Sequence, residues 1–333
     1  MNEKMKVMVL GLGNFGHSWA TSIVPQCREE AVLAAVVDRR QECWEGIDPD
    51  VPRYQSLEEA LAEVCPDLVI NVTPPAVHTE INRMLLAKNI PVLCEKPIAD
   101  TLESAMEMDA FLKKTDGFLM IGENYRYDEV IRTARKIVEG GGLGAVRQIS
   151  CHFRHYHPDY SRFYHGTLAH PLLEDVTIHH LDLARYLSGE EPQNVACREY
   201  PAPYCWYGDR PATAHLLSDM TGGSVFRYDG TLASPQSTTT WNGDWELQCD
   251  DGVVVIRDDR VYVYKDDTVQ EVTPESRSED SRIPMLREAC RALREGRAGE
   301  TDFRDNLRSF VRMRYAIEAA NTGKVVPLDM KGE

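Results

Sequence analysis

In the stretch VMVLGLGNFG, Gly11, Gly13 and Gly16 follow directly on an apolar run that begins at Val7. A buried strand ending in glycines at this spacing can turn sharply, bring bare amides up to a pyrophosphate, and let the next helix pack closely. That helix begins near Asn14 and Phe15, which join the glycines as candidate cofactor contacts. A second apolar run, VLAAVV over 32–37, ends at Asp38, about 20 residues beyond the last glycine, where a carboxylate can bind the adenosine ribose. The set reads as a dinucleotide site rather than a plain turn. Asp38 should repel a 2′-phosphate by about 1 to 4 kcal/mol at 4 Å, whereas Arg39 and Arg40 beside it would offset that. NAD is the expected cofactor, with NADP possible.

Further on, Thr73, Pro74 and His78 follow the run Leu68 to Val72, and Glu95-Lys96-Pro97 follows the run VLC. Both sit at the carboxyl edge, where open α/β sheets bind ligands. For the first segment the plainer reading is a stiff strand-to-helix connection. Lys96 is either a solvated loop residue or a cation beside the nicotinamide, favouring the alkoxide that develops as a hydroxyl gives up hydride. Asp175, His179 and Asp182 fall on one helix face by steps of four and three. His179 is then either a satisfied core histidine or a proton carrier whose ring a carboxylate one turn away orients. His180 points away from that face and is secondary.

Seven of the ten histidines lie between 152 and 180. His155 and His157 could share a strand face, a spacing some metal sites use. No cysteine pair or HExxH accompanies them, so no metal is expected and a polar substrate wall is preferred. Arg126, Arg154 and Arg162 are candidates for holding an anionic substituent, against the commoner fate of a surface or salt-bridged arginine.

The elements that must position these groups fall into two halves. Over residues 1–122, five apolar runs alternate with helix candidates at Phe15 to Ile23, Leu57 to Glu63, Ala76 to Ala87 and Thr101 to Lys114, the pattern of an α/β Rossmann domain. The first helix should end before Pro25, and Ser56 and Asp100 are candidate N-caps. Residues 123–333 read as a second α/β domain, to which the family resemblance described below assigns substrate binding and oligomerisation. It holds a helix at Asp128 to Glu139, a strand at Val146 to Phe153, and a helix from about Glu174 to Leu187 closed by Gly189. A large, mostly antiparallel open sheet follows from Val195 to Val272, with a hairpin at Asp258-Asp259. The closing helices at Pro284 to Arg294 and Phe303 to Asn321 are expected to pack back on the Rossmann domain.

A length of 333 residues favours two domains. The formal charge of -16 argues against a nucleic-acid partner, which needs clustered Lys and Arg. Nine scattered cysteines without a CxxC pair suit a reducing compartment. MNEKMKVMVL enters the first strand without a signal-peptide core, and no apolar run reaches membrane-spanning length, so a cytoplasmic protein with no membrane partner is expected.

GLGNFG, the Asp38 strand end, NVTPPAVH, CEKP, ENYRY and DVTIHHLD occur in an order and spacing that resemble the Gfo/Idh/MocA family of nicotinamide-dependent oxidoreductases, and the similarity continues into REGRAGETDFRDNL and EAANTGKVVPL. The resemblance implies that Gly11, Gly13 and Gly16 bind the pyrophosphate and Asp38 the ribose. Thr73, Pro74 and His78 would line the cofactor, and Glu95 would contact the nicotinamide ribose. Lys96, Asp175 and His179 match the family's catalytic set, and Asn124 and Tyr125 match substrate contacts; Arg126, Arg154, His157, Arg162 and His180 complete the candidate substrate residues. The implied activity is hydride transfer between NAD(P) and a secondary hydroxyl or ketone of a sugar, sugar derivative or cyclitol, in a homodimer or homotetramer. NAD-dependent glycoside cleavage through transient oxidation, and a non-catalytic cofactor-bound regulator, are the alternatives. Two departures stand out: where many members carry glycines before the aspartate and before the histidine, this chain has AHPLLE at 169–174 and Thr177.

Overall fold

The computed structural model describes residues 3–156, 159, 161, 164–275 and 280–328. The chain divides into two compact units, residues 1–124 with 278–307, and residues 125–277 with 308–333.

In the first unit, β1 (Met5–Leu10), β2 (Ala31–Val37), β3 (Arg53–Tyr54), β4 (Leu68–Asn71), β5 (Val92–Cys94) and β6 (Leu119–Ile121) form a parallel sheet in the order β3-β2-β1-β4-β5-β6. Val7, Met8, Val9, Leu68, Val69 and Ile70 have no exposed surface. Burial on both faces is why these strands read as unbroken apolar runs. β3 is the strand the apolar pattern missed; two half-buried residues, Arg and Tyr, leave no run to detect. Between β1 and β4 the strand order reverses, so the loops after these two strands flank the point where such sheets open for a ligand.

The connecting helices differ from expectation at two ends. α1 (Asn14–Ser18) widens into a π-helical stretch, Trp19–Ile23, and resumes as α2 (Val24–Gln26), so the helix runs through Pro25 rather than stopping before it. Pro25 is tolerated because it falls in the first turn of the renewed α-helix, where a missing N–H breaks little. Ser56 caps α3 (Leu57–Glu63) as expected, accepting from the Glu59 amide. α4 (His78–Leu86) follows a 3-10 turn at Pro75–Val77. At α5 (Leu102–Leu112) the cap is Thr101, not Asp100; its hydroxyl accepts from the Ser104 amide.

The second unit opens with α6 (Glu129–Glu139), capped by Asp128, then β7 (Val146–Arg154) and α7 (Ile178–Ser188), whose entry is π-helical over Leu173–Thr177 and whose end is Gly189 at φ 73. There follow β8 (Asn194–Ala202), β9 (Gly208–Asp219), β10 (Val225–Thr231), β11 (Asp244–Cys249), β12 (Gly252–Arg257), β13 (Arg260–Lys265) and β14 (Thr268–Val272). With β15 (Val326–Pro327) they form a nine-stranded sheet in the order β14-β13-β12-β11-β7-β10-β9-β8-β15, antiparallel except between β7 and β10. Along β9, Ala212, Ala214 and Leu216 are buried while His215 and Leu217 are exposed, the alternation of a sheet with one covered face. Asp258 and Asp259 turn the β12–β13 hairpin at φ 50 and 52, the left-handed pair that a two-residue hairpin requires. Within the first unit, α8 (Arg282–Glu295) returns beside the dinucleotide helix, where Cys27 Sγ donates to the Ile283 carbonyl at 3.7 Å. α9 (Phe303–Thr322) starts in that unit and ends in the second.

Candidate active site

Each glycine after β1 has its own steric reason. A Cβ on Gly11, which sits at φ +88, would lie 2.8 Å from the Val72 carbonyl oxygen, and one on Gly16 would lie 1.9 Å from the Gly11 oxygen. Those two allow strand, turn and helix to close up. A Cβ on Gly13 would meet nothing within 4 Å, and Gly13, Asn14 and Phe15 are exposed. The start of α1 is therefore open beside Gly13, where a pyrophosphate could approach the helix N-terminus, and the residues fit a dinucleotide. Asp38 accepts from the Leu12 amide at 2.8 Å and from Arg40 N at 2.9 Å, with the Arg40 side chain at 3.3 Å. Burial pushes its carboxyl up, but the bonds from Arg40 and Leu12 outweigh that and hold it below the ordinary carboxylate range. Arg39 is exposed beside it.

At the β4 end, Thr73 donates its hydroxyl to Asn71 Oδ1 at 2.6 Å, and Pro74 is exposed at the sheet edge. His78 does not present its ring to this edge: it has no exposed surface, and its Nδ1 and Nε2 lie 2.9 and 2.7 Å from the carbonyl oxygens of Pro97 and Thr73. A carbonyl only accepts, and a neutral imidazole carries a single N–H, so the uncharged ring donates to one of the two at a time. Burial pushes the imidazole pKa down and the two carbonyls push it back up, with burial prevailing. His78 thus ties the loop after β4 to the loop carrying Lys96, which is half-buried. Glu95 accepts from Trp19 Nε1 at 2.8 Å, a partner the sequence pattern did not reveal. Asn124 donates to Ser281 Oγ at 2.7 Å.

In the second unit, the ring of Tyr125 stacks on that of His179 with centroids 4.1 Å apart and planes 9° apart. His179 is buried at the start of α7, and Asp175 is half-buried in the π-helical turn before it. Asp182 leaves this set. It is bound by Arg126 through Nε at 2.5 Å and Nη2 at 2.6 Å, accepts from Ser309 Oγ at 2.7 Å, and lies 3.4 Å from Arg185 Nη1. Arg126, expected to hold an anionic substituent, is 5% exposed and engaged by that carboxylate. Such a two-pronged buried pair is held because each charge is hydrogen-bonded in full geometry.

His180, the secondary candidate, is also engaged within the protein. It has no exposed surface; its Nε2 donates to the Trp241 carbonyl at 3.0 Å, and its Nδ1, 3.2 Å away, accepts from the Tyr228 hydroxyl. Tyr228 in turn accepts from Thr177 Oγ1 at 3.2 Å. Burial pushes the Tyr228 hydroxyl far above its ordinary pKa, so it stays a donor. Thr177, one of the two departures, thus starts this chain of bonds through its hydroxyl. His170, in the other departure, sits with Nδ1 2.5 Å from Glu199 Oε2, which raises its pKa. Arg154 donates through Nε to Ser237 Oγ at 3.3 Å and lies 3.6 Å from Asp244, beside a cavity of about 440 Å³ that His152, Arg257 and Asp258 also line. His157 and Arg162 lie outside the described residues. Among the described residues no three His, Cys, Asp or Glu side chains group as a metal site, and no helix is long and apolar enough to cross a membrane.

The family model described as "Oxidoreductase family, NAD-binding Rossmann fold" matches residues 5–123, and the model of the GFO/IDH/MocA C-terminal domain matches 131–255. An inositol 2-dehydrogenase of Pseudarthrobacter chlorophenolicus is 30% identical over 203 residues, 60% of this chain and 58% of that protein. The match thus spans less than two thirds of that relative. A crystal structure of an oxidoreductase from Agrobacterium radiobacter in complex with NAD+, L-tartaric acid and magnesium superposes with a TM-score of 0.87 at 22% identity, covering 98% of both chains. The aldose-aldose oxidoreductase of Caulobacter crescentus complexed with glycerol does so at 0.85 and 23%, over 98% of this chain and 100% of that one.

Proposed function

Because the chain belongs to the Gfo/Idh/MocA family of NAD(P)-dependent oxidoreductases, we propose that it moves a hydride between NAD and a secondary hydroxyl, or the matching ketone, of a sugar, sugar derivative or cyclitol. The observation that most supports this is His179, a buried imidazole whose ring is fixed face to face by Tyr125 while its neighbour His180 is spent on structure. Bound NAD supplies the hydride acceptor. His179 takes the hydroxyl proton, Asp175 one turn earlier orients the imidazole, and Lys96 stabilises negative charge on the reacting oxygen. Asn124 and Tyr125 contact the substrate in this reading, with Tyr125 also holding His179. The polyol class is drawn from relatives such as the inositol 2-dehydrogenase and the aldose-aldose oxidoreductase. NAD is favoured over NADP because the ionised Asp38 already engages Arg40.

Lys96→Ala and His179→Ala should each cut turnover by about 10² to 10⁴ while leaving NAD affinity nearly unchanged. A panel of inositols, sugars and sugar acids, tested with NAD and NADP by absorbance of reduced nicotinamide, identifies the substrate. Equal loss of NAD affinity in both variants, or no turnover of any polyol by the unaltered protein, would refute the reading. We further propose a homodimer or homotetramer built on the open face of the nine-stranded sheet, where Tyr200, Leu217 and Tyr264 are exposed; light scattering in solution tests it.

A further inference from the structure

Arg282, the first residue of α8, reaches the dinucleotide helix from late in the chain. Its guanidinium carbon lies 4.4 Å from the centroid of the Phe15 ring and 5.6 Å from that of Trp19. Nη2 donates to Ser18 Oγ at 3.0 Å and to Asp280 Oδ2 at 2.7 Å, and Nε donates to Asp280 Oδ1 at 3.0 Å. The residue is 8% exposed, and its Nη1 is buried with no hydrogen-bond partner among the described residues. A guanidinium carries five N–H donors in a fixed fork, and leaving a buried one without an acceptor is costly.

The surroundings of Nη1 say what kind of acceptor is missing. Phe15 is an exposed residue at the pyrophosphate end of α1, and its ring holds the cation in place. Trp19, the other ring, is bonded to Glu95 just past β5. Arg282 therefore stands over the stretch of helix between the glycine loop and the β5 edge. Asp38 lies at the end of β2, on the opposite side of β1 from β4 and β5. If Asp38 marks the adenosine ribose, Arg282 marks the nicotinamide half. Asp280 holds the fork by two of its nitrogens and leaves Nη1 as the donor that remains.

We propose that Arg282 is a cofactor ligand whose Nη1 donates to the phosphate next to the nicotinamide ribose. The identity of the dinucleotide rests on the function proposed above; the placement of Arg282 rests on its own contacts.

Binding of NAD, ADP-ribose and AMP, followed calorimetrically and by tryptophan fluorescence, tests this, because AMP lacks the second phosphate. Arg282→Gln should weaken NAD and ADP-ribose by about tenfold and AMP by less than about twofold. Arg282→Lys, which keeps the charge without the fork, should show the same selectivity with a smaller loss and gives the test a second variant should Arg282→Gln fold poorly. Equal weakening of all three ligands in either folded variant, or unchanged NAD affinity, would overturn the assignment. Absence of NAD binding by the unaltered protein would instead remove the cofactor reading itself.

Discussion

The parallel six-stranded sheet and the nine-stranded sheet prepare their chemistry by different means. In the first, the geometry is written in the backbone: Gly11 at φ +88, Gly16 against the Gly11 carbonyl, and Gly13 with open space where a Cβ would stand. In the second, it is made by side chains that find partners far along the chain, such as Arg126 with Asp182 and His180 with Trp241, 56 and 61 residues apart. Backbone devices tolerate almost any neighbour but not an added Cβ. Side-chain networks tolerate changes in the turn but not the loss of one member. His179 and His180 make the point within one helix: adjacent in sequence, one is stacked beneath Tyr125 and the other is a buried strut.

The sharpest break of this comparison is in the second unit. Asp182→Asn leaves Arg126 and Arg185 buried without their common carboxylate, which should cost about 3 to 5 kcal/mol and lower the melting temperature by about 6 to 20 °C, with NAD affinity unaffected. A melting temperature within about 2 °C of the parent would show that the network is not what holds this unit.

Two glycine variants separate closure from ligand access in the first unit. Gly16→Ala should cost about 1 to 3 kcal/mol, since its Cβ must displace backbone, and should abolish tight NAD binding as well. Gly13→Ala should stay within about 0.5 kcal/mol in stability yet bind NAD about tenfold more weakly, because its Cβ enters only the space a pyrophosphate would take. Calorimetric binding beside thermal unfolding distinguishes the two; an unchanged NAD affinity for Gly13→Ala would mean that the space belongs to something else.

The smallest effect is a pH dependence. His170 has its pKa raised above the ordinary 6.5, first by the hydrogen bond to Glu199 and then by that charge, against burial. A raised histidine pKa gives stability that is complete below the unfolded value and is lost as pH rises through the folded one. His170→Asn should therefore melt about 2 °C lower than the parent near pH 6, and the gap should close toward pH 8 and above. A gap that widens with pH would reverse the assigned pairing.

What the amino-acid sequence determined by itself was whatever depends on near neighbours and on burial of whole segments. That covers the parallel strands as apolar runs, the glycine turn with Asp38, the cap at Ser56, the Asp258-Asp259 turn and the β-like runs of the larger sheet. It missed β3, which is too short to carry a pattern, and it ended the first helix too early because a proline's effect depends on which turn it occupies. Tertiary structure alone decided which polar residues are used internally. Arg126, His78 and His180 have the same side chains as residues that bind ligands, and only the packing of distant segments sets them beside Asp182, two backbone carbonyls and Tyr228. The reason is physical: a buried polar group must find a partner, and which partner lies within 3 Å is a property of how distant segments pack rather than of residue type or spacing.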